Sequence, residues 1–231
     1  MIQKSTIKNS LITPEYSVVF DLDDTIYYEQ DYVFSGFQAI SEYLKIHFGY
    51  DQVYQKLHRF FLAGLPDPIE KICEELNLTI KEKLVDIMRK SPPKIALRPG
   101  VIPLLEYLKE NNFEIGIITN GRSSTQRMKI EALKIQKFLD ICIISGETTS
   151  YKPNHEIFMQ YQLQSMKSSY LFIGNNPHVD INPARAMGWK TIHCTSNNLM
   201  LKKYDLVDAD WYISNFRKDS VNNIFRIDYD K

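Results

Sequence analysis

Short apolar runs alternate along this chain with stretches whose apolar residues recur every three or four positions. The first run, residues 17–20, reads Ser-Val-Val-Phe and predicts a buried strand. From about residue 31 to 90 the period lengthens. Phe37, Ile40, Tyr43, Leu44 and His47 or Phe48 fall on one helical face, then Ile69, Ile72, Cys73 and Leu76, then Leu84, Ile87 and Met88. Gly49, Gly64-Leu65-Pro66 and Asn77 divide this region into four helices, and Ser91-Pro92-Pro93 ends it. Beyond it a helix over 101–109 leads to a strand over 114–118. A helix from 123, a strand over 141–144, a helix over 154–163 and a strand over 170–173 follow. A helix from 183 and strands near 191 and over 211–213 complete the pattern. Such alternation predicts an α/β fold with a parallel sheet covered on both faces. Residues 1–26 and 93–231 then form the core, and 27–92 an all-helical insert placed directly after the first strand.

Composition narrows the setting. A chain of 231 residues fits one large domain or a domain with an insert. Its 44% hydrophobic and 24% charged residues are those of an ordinary globular protein, so no fibrous or disordered class is indicated. Lys+Arg and Asp+Glu are both 28, which leaves no net field to draw the chain to nucleic acid or an anionic membrane. The polar lead-in over residues 1–15 has no apolar stretch of signal-peptide length, and no segment is long enough to span a bilayer. Cys73, Cys142 and Cys194 lie far apart in apolar contexts and read as free thiols. The expectation is a cytoplasmic protein.

Chemistry collects at the carboxyl ends of the predicted strands, where open α/β sheets bind their ligands. The first strand runs into Asp21-Leu22-Asp23-Asp24-Thr25, the second into Thr119-Asn120-Gly121. Lys152-Pro153 follows the third, and Gly174-Asn175-Asn176-Pro177-His178-Val179-Asp180 the fourth. Each has an ordinary reading. Asp24 is as well suited to capping the following helix as to catalysis. Thr119-Asn120-Gly121 is a common strand-to-helix turn, Lys152 a solvated loop charge, and His178 a surface residue. All four in order on one sheet edge outweigh those readings.

Together they closely resemble the haloacid dehalogenase-like hydrolase superfamily. The Asp-x-Asp-x-Thr loop, the Thr after the second strand, the Lys and the acidic fourth loop agree in order and spacing. Lys152-Pro153-Asn154-His155-Glu156-Ile157-Phe158 is similar to the usual Lys-Pro-x-x-x-Ile-Phe of one subfamily. The resemblance implies a Rossmann-like parallel core, a small helical cap at 27–92, and Mg²⁺-dependent phosphatase chemistry through an aspartyl-phosphate. Asp21 is then the nucleophile. Asp23 protonates the leaving alkoxide and later activates water. Thr119, Asn120, Gly121 and Lys152 receive the substrate phosphate. Asp21, Asp23, Asn175 and Asp180 supply the oxygen-rich Mg²⁺ site. The partner is a small phosphorylated metabolite.

One position departs from that pattern: the fourth loop begins Gly174-Asn175 where the family has Gly-Asp, so a neutral amide replaces a charged ligand. Asp23 argues against dehalogenation, which needs no proton for its leaving halide, and against the family's phosphonate hydrolysis. A phosphomutase shares the same core residues, and a phosphate- or protein-binding module is the non-enzymatic alternative. Tyr27, Tyr28, Tyr32, Phe34 and Phe37 follow the catalytic loop at nearly helical spacing and read first as a packing face. Lys56, His58 and Arg59 read as a solvated basic face, and Arg122 lies beside the second loop. None of these names a substrate.

Overall fold

The computed structural model describes residues 11–195 and 208–225. Most of the polar lead-in, residues 1–10, lies outside the described residues.

Six parallel strands form one sheet: β1 (Tyr16–Phe20), β2 (Glu114–Thr119), β3 (Ile141–Ile144), β4 (Ser169–Gly174), β5 (Lys190–Cys194) and β6 (Trp211–Ile213). Their order across the sheet is β3-β2-β1-β4-β5-β6. The central position of β1 explains its composition. Both of its faces are covered, so Val18, Val19 and Phe20 are all buried. Successive side chains point to opposite faces. Ser17 meets Tyr161 and Val19 packs with Phe158 and Phe172, while Phe20 meets Phe216 on the other side.

Helices α5 (Val101–Glu110), α7 (His155–Gln164), α8 (Asn182–Ala186) and α9 (Lys218–Phe225) belong to the sheet's unit. The α7 face holds the larger aromatic cluster, with Trp189 stacked on Tyr170 at 4.6 Å and edge-on to Phe158 at 5.5 Å. Tyr161 reaches under β1 and β2 because residue 116 is glycine: a Cβ there would lie 2.1 Å from its hydroxyl oxygen. That hydroxyl is satisfied by Ser17 Oγ at 2.7 Å.

The second compact unit comprises residues 27–96 together with Ser123–Gln136. It holds α1 (Glu29–Phe48), α2 (Val53–Leu62), α3 (Pro68–Leu76), α4 (Lys81–Lys90) and α6 (Ser123–Ala132). Phe37, Ile40, Leu44, Val53, Leu57, Ile72 and Leu84 form its core. The starts and stops are local chemistry: Asp67 accepts the Glu70 N–H and Pro68 opens α3, while Gly49 and Asn77 close α1 and α3 in left-handed conformation. The apolar face of α1 ends at Leu44, and His47 and Phe48 are exposed. Residues 123–136, which the strand–helix alternation assigned to the core, group with the helical unit. In that unit the Lys129 ammonium lies 4.4 Å from the Tyr32 ring centre.

Among the described residues no helix is long and apolar enough to cross a membrane. Cys73 and Cys194 are buried and Cys142 half-buried, and all three are free thiols.

Candidate active site

Strand β1 hands the chain directly to Asp21, whose N–H continues the ladder by donating to the Ile173 carbonyl at 2.9 Å. The next turn is tight enough to hold Asp24 in left-handed conformation, φ 57°. Thr25, fully buried, turns back so that its hydroxyl donates to Asp21 Oδ2 at 2.9 Å. Asp24 does not cap the following helix; the N-cap of α1 is Tyr28, four residues on, without a side-chain cap.

Lys152 is the hub. Its ammonium donates to Asp21 Oδ1 at 2.6 Å and to Asp180 Oδ1 at 2.7 Å, and its side chain is almost wholly buried. The ordinary reading of Lys152 as a solvated charge therefore fails. Its backbone is fixed by Asn120, which donates from Nδ2 to the Lys152 carbonyl at 2.8 Å and accepts the Lys152 N–H at 2.9 Å. The Asn120 side chain thus serves as a strut for Lys152. The Gly121 N–H donates to Ser145 Oγ at 2.9 Å. As the structure stands, that amide is engaged by Ser145, a residue the sequence reading did not single out. Thr119, the last residue of β2, is fully buried.

The fourth loop coils into a short wide turn, Pro177–Ile181, capped by Asn176, whose Oδ1 accepts the N–H groups of His178 and Val179. This turn returns Asp180 to the end of β4, where its Oδ2 accepts the Asn176 N–H at 3.0 Å. His178 stays exposed. Asn175 is half-buried, and its carbonyl faces His193 Nε2 at 3.0 Å. A carbonyl only accepts, so Nε2 carries the proton of the neutral imidazole. Burial pushes the His193 pKa down, which favours that neutral form. Its position on β5 gave no signal in the sequence pattern.

Burial, with repulsion from Asp180 and Asp23, raises the Asp21 carboxyl to about 7 despite the attraction of Lys152. For Lys152, burial opposes the charge, but Asp180 and Asp21 outweigh it and hold its pKa above the usual value. Two carboxylates, Asp21 and Asp180, share the one Lys152 ammonium, and Asp23 adds its charge beside Asp21, which leaves negative charge in excess. Such a site favours a hard cation with oxygen ligands, and these donors are all oxygens. Among the described residues no three His, Cys, Asp or Glu side chains converge on one point. Mg²⁺ fits that set, because it ordinarily takes one or two carboxylates and keeps several waters.

Residues 18–194 match the family model of the haloacid dehalogenase-like hydrolases. The chain belongs to that family. This haloacid dehalogenase-like hydrolase is 28% identical over 192 residues to the pyrimidine 5'-nucleotidase YjjG of Escherichia coli, covering 78% of this chain and 76% of that one. It is 26% identical over 241 residues to the glyceraldehyde 3-phosphate phosphatase of Methanocaldococcus jannaschii, covering 91% and 95%. Among solved structures, the magnesium-bound YfnB of Bacillus subtilis shares the fold with a TM-score of 0.67 at 21% identity, over 92% of this chain and 99% of that one.

The structure brings Asp21, Lys152 and Asp180 into direct contact, adds Thr25, and leaves Asn120 bonded to the backbone of Lys152. In the helical unit, Phe34 and Phe37 pack in its aromatic core, where Phe34 lies 4.6 Å from the His58 ring. Tyr27 is fully buried and Tyr32 nearly so. Lys56 pairs with Glu75 at 3.0 Å, and Arg59 lies over the Phe60 ring.

Proposed function

We propose that this hydrolase is a Mg²⁺-dependent phosphatase that cleaves the monoester of a small phosphorylated metabolite through an aspartyl-phosphate on Asp21. The observation that carries the reading is the Lys152 bridge between Asp21 and Asp180, buried at the carboxyl ends of parallel strands. The activities named for the relatives, a 5'-nucleotidase and a sugar-phosphate phosphatase, point to the same substrate class.

The chemistry follows from the placement. Lys152 and Thr25 hold both Asp21 oxygens, so the carboxylate is aimed before substrate arrives. Asp21 attacks phosphorus, the bond to the ester oxygen breaks, and Asp23 gives that oxygen its proton. Asp23, now a base, takes a proton from water, which attacks the same phosphorus. Inorganic phosphate leaves and Asp21 is regenerated. Thr119, Asn120 and Gly121 border the phosphate position, and Lys152 offsets its charge. Asp21, Asp23, Asn175 and Asp180 are the residues that would hold Mg²⁺. Bound there, the ion offsets charge on the transferring group. Residues 27–92 act as the cap that selects the leaving group.

The experiment is a hydrolysis screen over sugar phosphates, nucleoside monophosphates and other small phosphate esters, with and without Mg²⁺, using Asp21→Asn as control. Turnover that needs both Mg²⁺ and Asp21 supports the reading. Turnover retained by Asp21→Asn overturns it.

A further inference from the structure

Arg98 is a buried arginine outside the proposed catalytic set. It is 2% exposed, and its guanidinium spans three separate segments of the sheet's unit. One terminal nitrogen donates to the carbonyls of Asp24 at 3.2 Å and Thr25 at 3.0 Å, and meets Cys194 Sγ at 3.1 Å. The other donates to the carbonyls of Thr195 at 3.4 Å and Ser214 at 2.8 Å. The Arg98 N–H donates to the Ile26 carbonyl at 2.9 Å. Three successive carbonyls after the Asp-x-Asp motif, those of Asp24, Thr25 and Ile26, thus bond to one residue.

That residue is itself anchored. Its guanidinium carbon lies 5.6 Å from the Phe216 ring centre. Two positions on, Gly100 has φ +91° and approaches Phe216 so closely that a Cβ would fall 2.2 Å from the Phe216 carbonyl carbon. The Phe216 N–H returns to the Pro99 carbonyl at 3.3 Å. The held turn is an unfavourable one, since Asp24 is a non-glycine residue at φ 57°. Capture of its carbonyl, and of the next, opposes relaxation to the right-handed side. Thr25, on the far side of the turn, donates its hydroxyl to Asp21 Oδ2. Asp23 lies between the two fixed points.

We propose that Arg98 is a positioning residue that sets Asp23 against Asp21 through the backbone of Asp24 and Thr25. The inference rests on the phosphatase reading, in which Asp21 attacks and Asp23 protonates the leaving oxygen. Arginine suits the task because its planar fork reaches divergent acceptors at once, whereas a lysine ammonium is a single point. A misplaced Asp23 harms proton delivery more than it harms attack, so the loss depends on the leaving group.

The test compares Arg98→Met and Arg98→Lys with the unaltered chain on two esters, p-nitrophenyl phosphate, whose leaving group needs little protonation, and an alkyl phosphate. Turnover in Arg98→Met should fall at least tenfold further on the alkyl ester, with Arg98→Lys between. Backbone hydrogen exchange should quicken over residues 21–27 while β3 and α7 keep their protection. An equal loss on both esters, or unchanged protection over residues 21–27, overturns the proposal. Should Arg98→Met lose protection throughout, Arg98→Lys supplies the comparison. If the unaltered chain hydrolyses neither ester in Mg²⁺, the phosphatase reading fails by itself, and the exchange data still decide whether Arg98 holds the turn.

Discussion

Gly174 and Asp180 occupy the same space: a Cβ on residue 174 would lie 2.5 Å from the Cβ of Asp180 and 2.7 Å from its Oδ2. The glycine that ends β4 is what allows the fourth loop to fold its carboxylate back onto Lys152. Asp180 and its own loop are tied together as well, through the Asn176 N–H to Oδ2 and the Asp180 N–H to the Asn176 carbonyl. No flexible side-chain tip is available to give way, because the clash falls on the root of Asp180.

Gly174→Ala should therefore push Asp180 off Lys152 and destabilise the fold by about 2–3 kcal/mol, within the range for overpacking. Removing a carboxylate from Lys152 also leaves that ammonium less compensated in a buried site. The check is a denaturant midpoint, with turnover measured at a temperature where the variant is folded. A stable variant with full activity would show that the Asp180 contact is dispensable.

The second prediction concerns pH. In the folded chain Asp21 titrates near 7, against 3.8 when unperturbed, so the fold favours its protonated form. The stability that follows is complete below about pH 4 and is lost as pH rises through 7. Asp21→Asn is neutral throughout and escapes that loss. Metal-free Asp21→Asn should thus be more stable than the unaltered chain at pH 8 by about 1–3 kcal/mol, and the gap should close towards pH 4. Thermal unfolding in chelator across pH measures it. A variant less stable than the parent at pH 8 would show that the Lys152 attraction outweighs burial.

Much of this arrangement was legible beforehand, and the physical reason is period. Strands β3 and β6 fall at the expected residues, β1 and β2 differ by a residue at one end and β4 by a residue at each end, because buried strands are bounded by abrupt polar turns. Asp21 was legible because it directly follows β1, and Lys152 and Asp180 because they stand in the loops that follow β3 and β4. What stayed hidden acts through the backbone or across the sheet. Asn120 bonds main-chain atoms 32 residues away, Ser145 takes the Gly121 N–H, and His193 meets the Asn175 carbonyl. Nothing in hydrophobic spacing encodes such bonds. The end of the α1 face was misplaced because helical spacing continues to His47 and Phe48, although burial stops at Leu44.

The metal gives a third prediction. Asn175 offers an amide oxygen where a carboxylate would add charge, and the candidate site has few carboxylates to spare among its ligands. Asn175→Asp should tighten Mg²⁺ binding about tenfold or more, read by calorimetric titration and by the Mg²⁺-dependent rise in unfolding temperature. Both readouts are independent of turnover. Equal Mg²⁺ affinity in the two proteins would remove Asn175 from the ligand set.

The last prediction separates two roles for Asn120. Its side chain spans the Lys152 backbone with one donated and one accepted bond, so its effect on catalysis should pass through the lysine. Asn120→Ala removes both bonds and leaves a partly buried N–H and carbonyl without them, at a cost of about 1–3 kcal/mol. Turnover should drop on every substrate alike, since the Lys152 ammonium serves the phosphoryl group common to all of them. If Asn120 acts only by holding Lys152, the alanine change should cost nothing further once the lysine is gone. Lys152→Met alone and the double variant would then have the same residual activity, whereas independent contacts to phosphate would multiply the two losses. The measurement is kcat/KM for the two single variants and the double variant on one ester, beside their unfolding midpoints. Multiplicative losses would mean that the Asn120 side chain makes a contact with phosphate of its own, beside its bonds to Lys152.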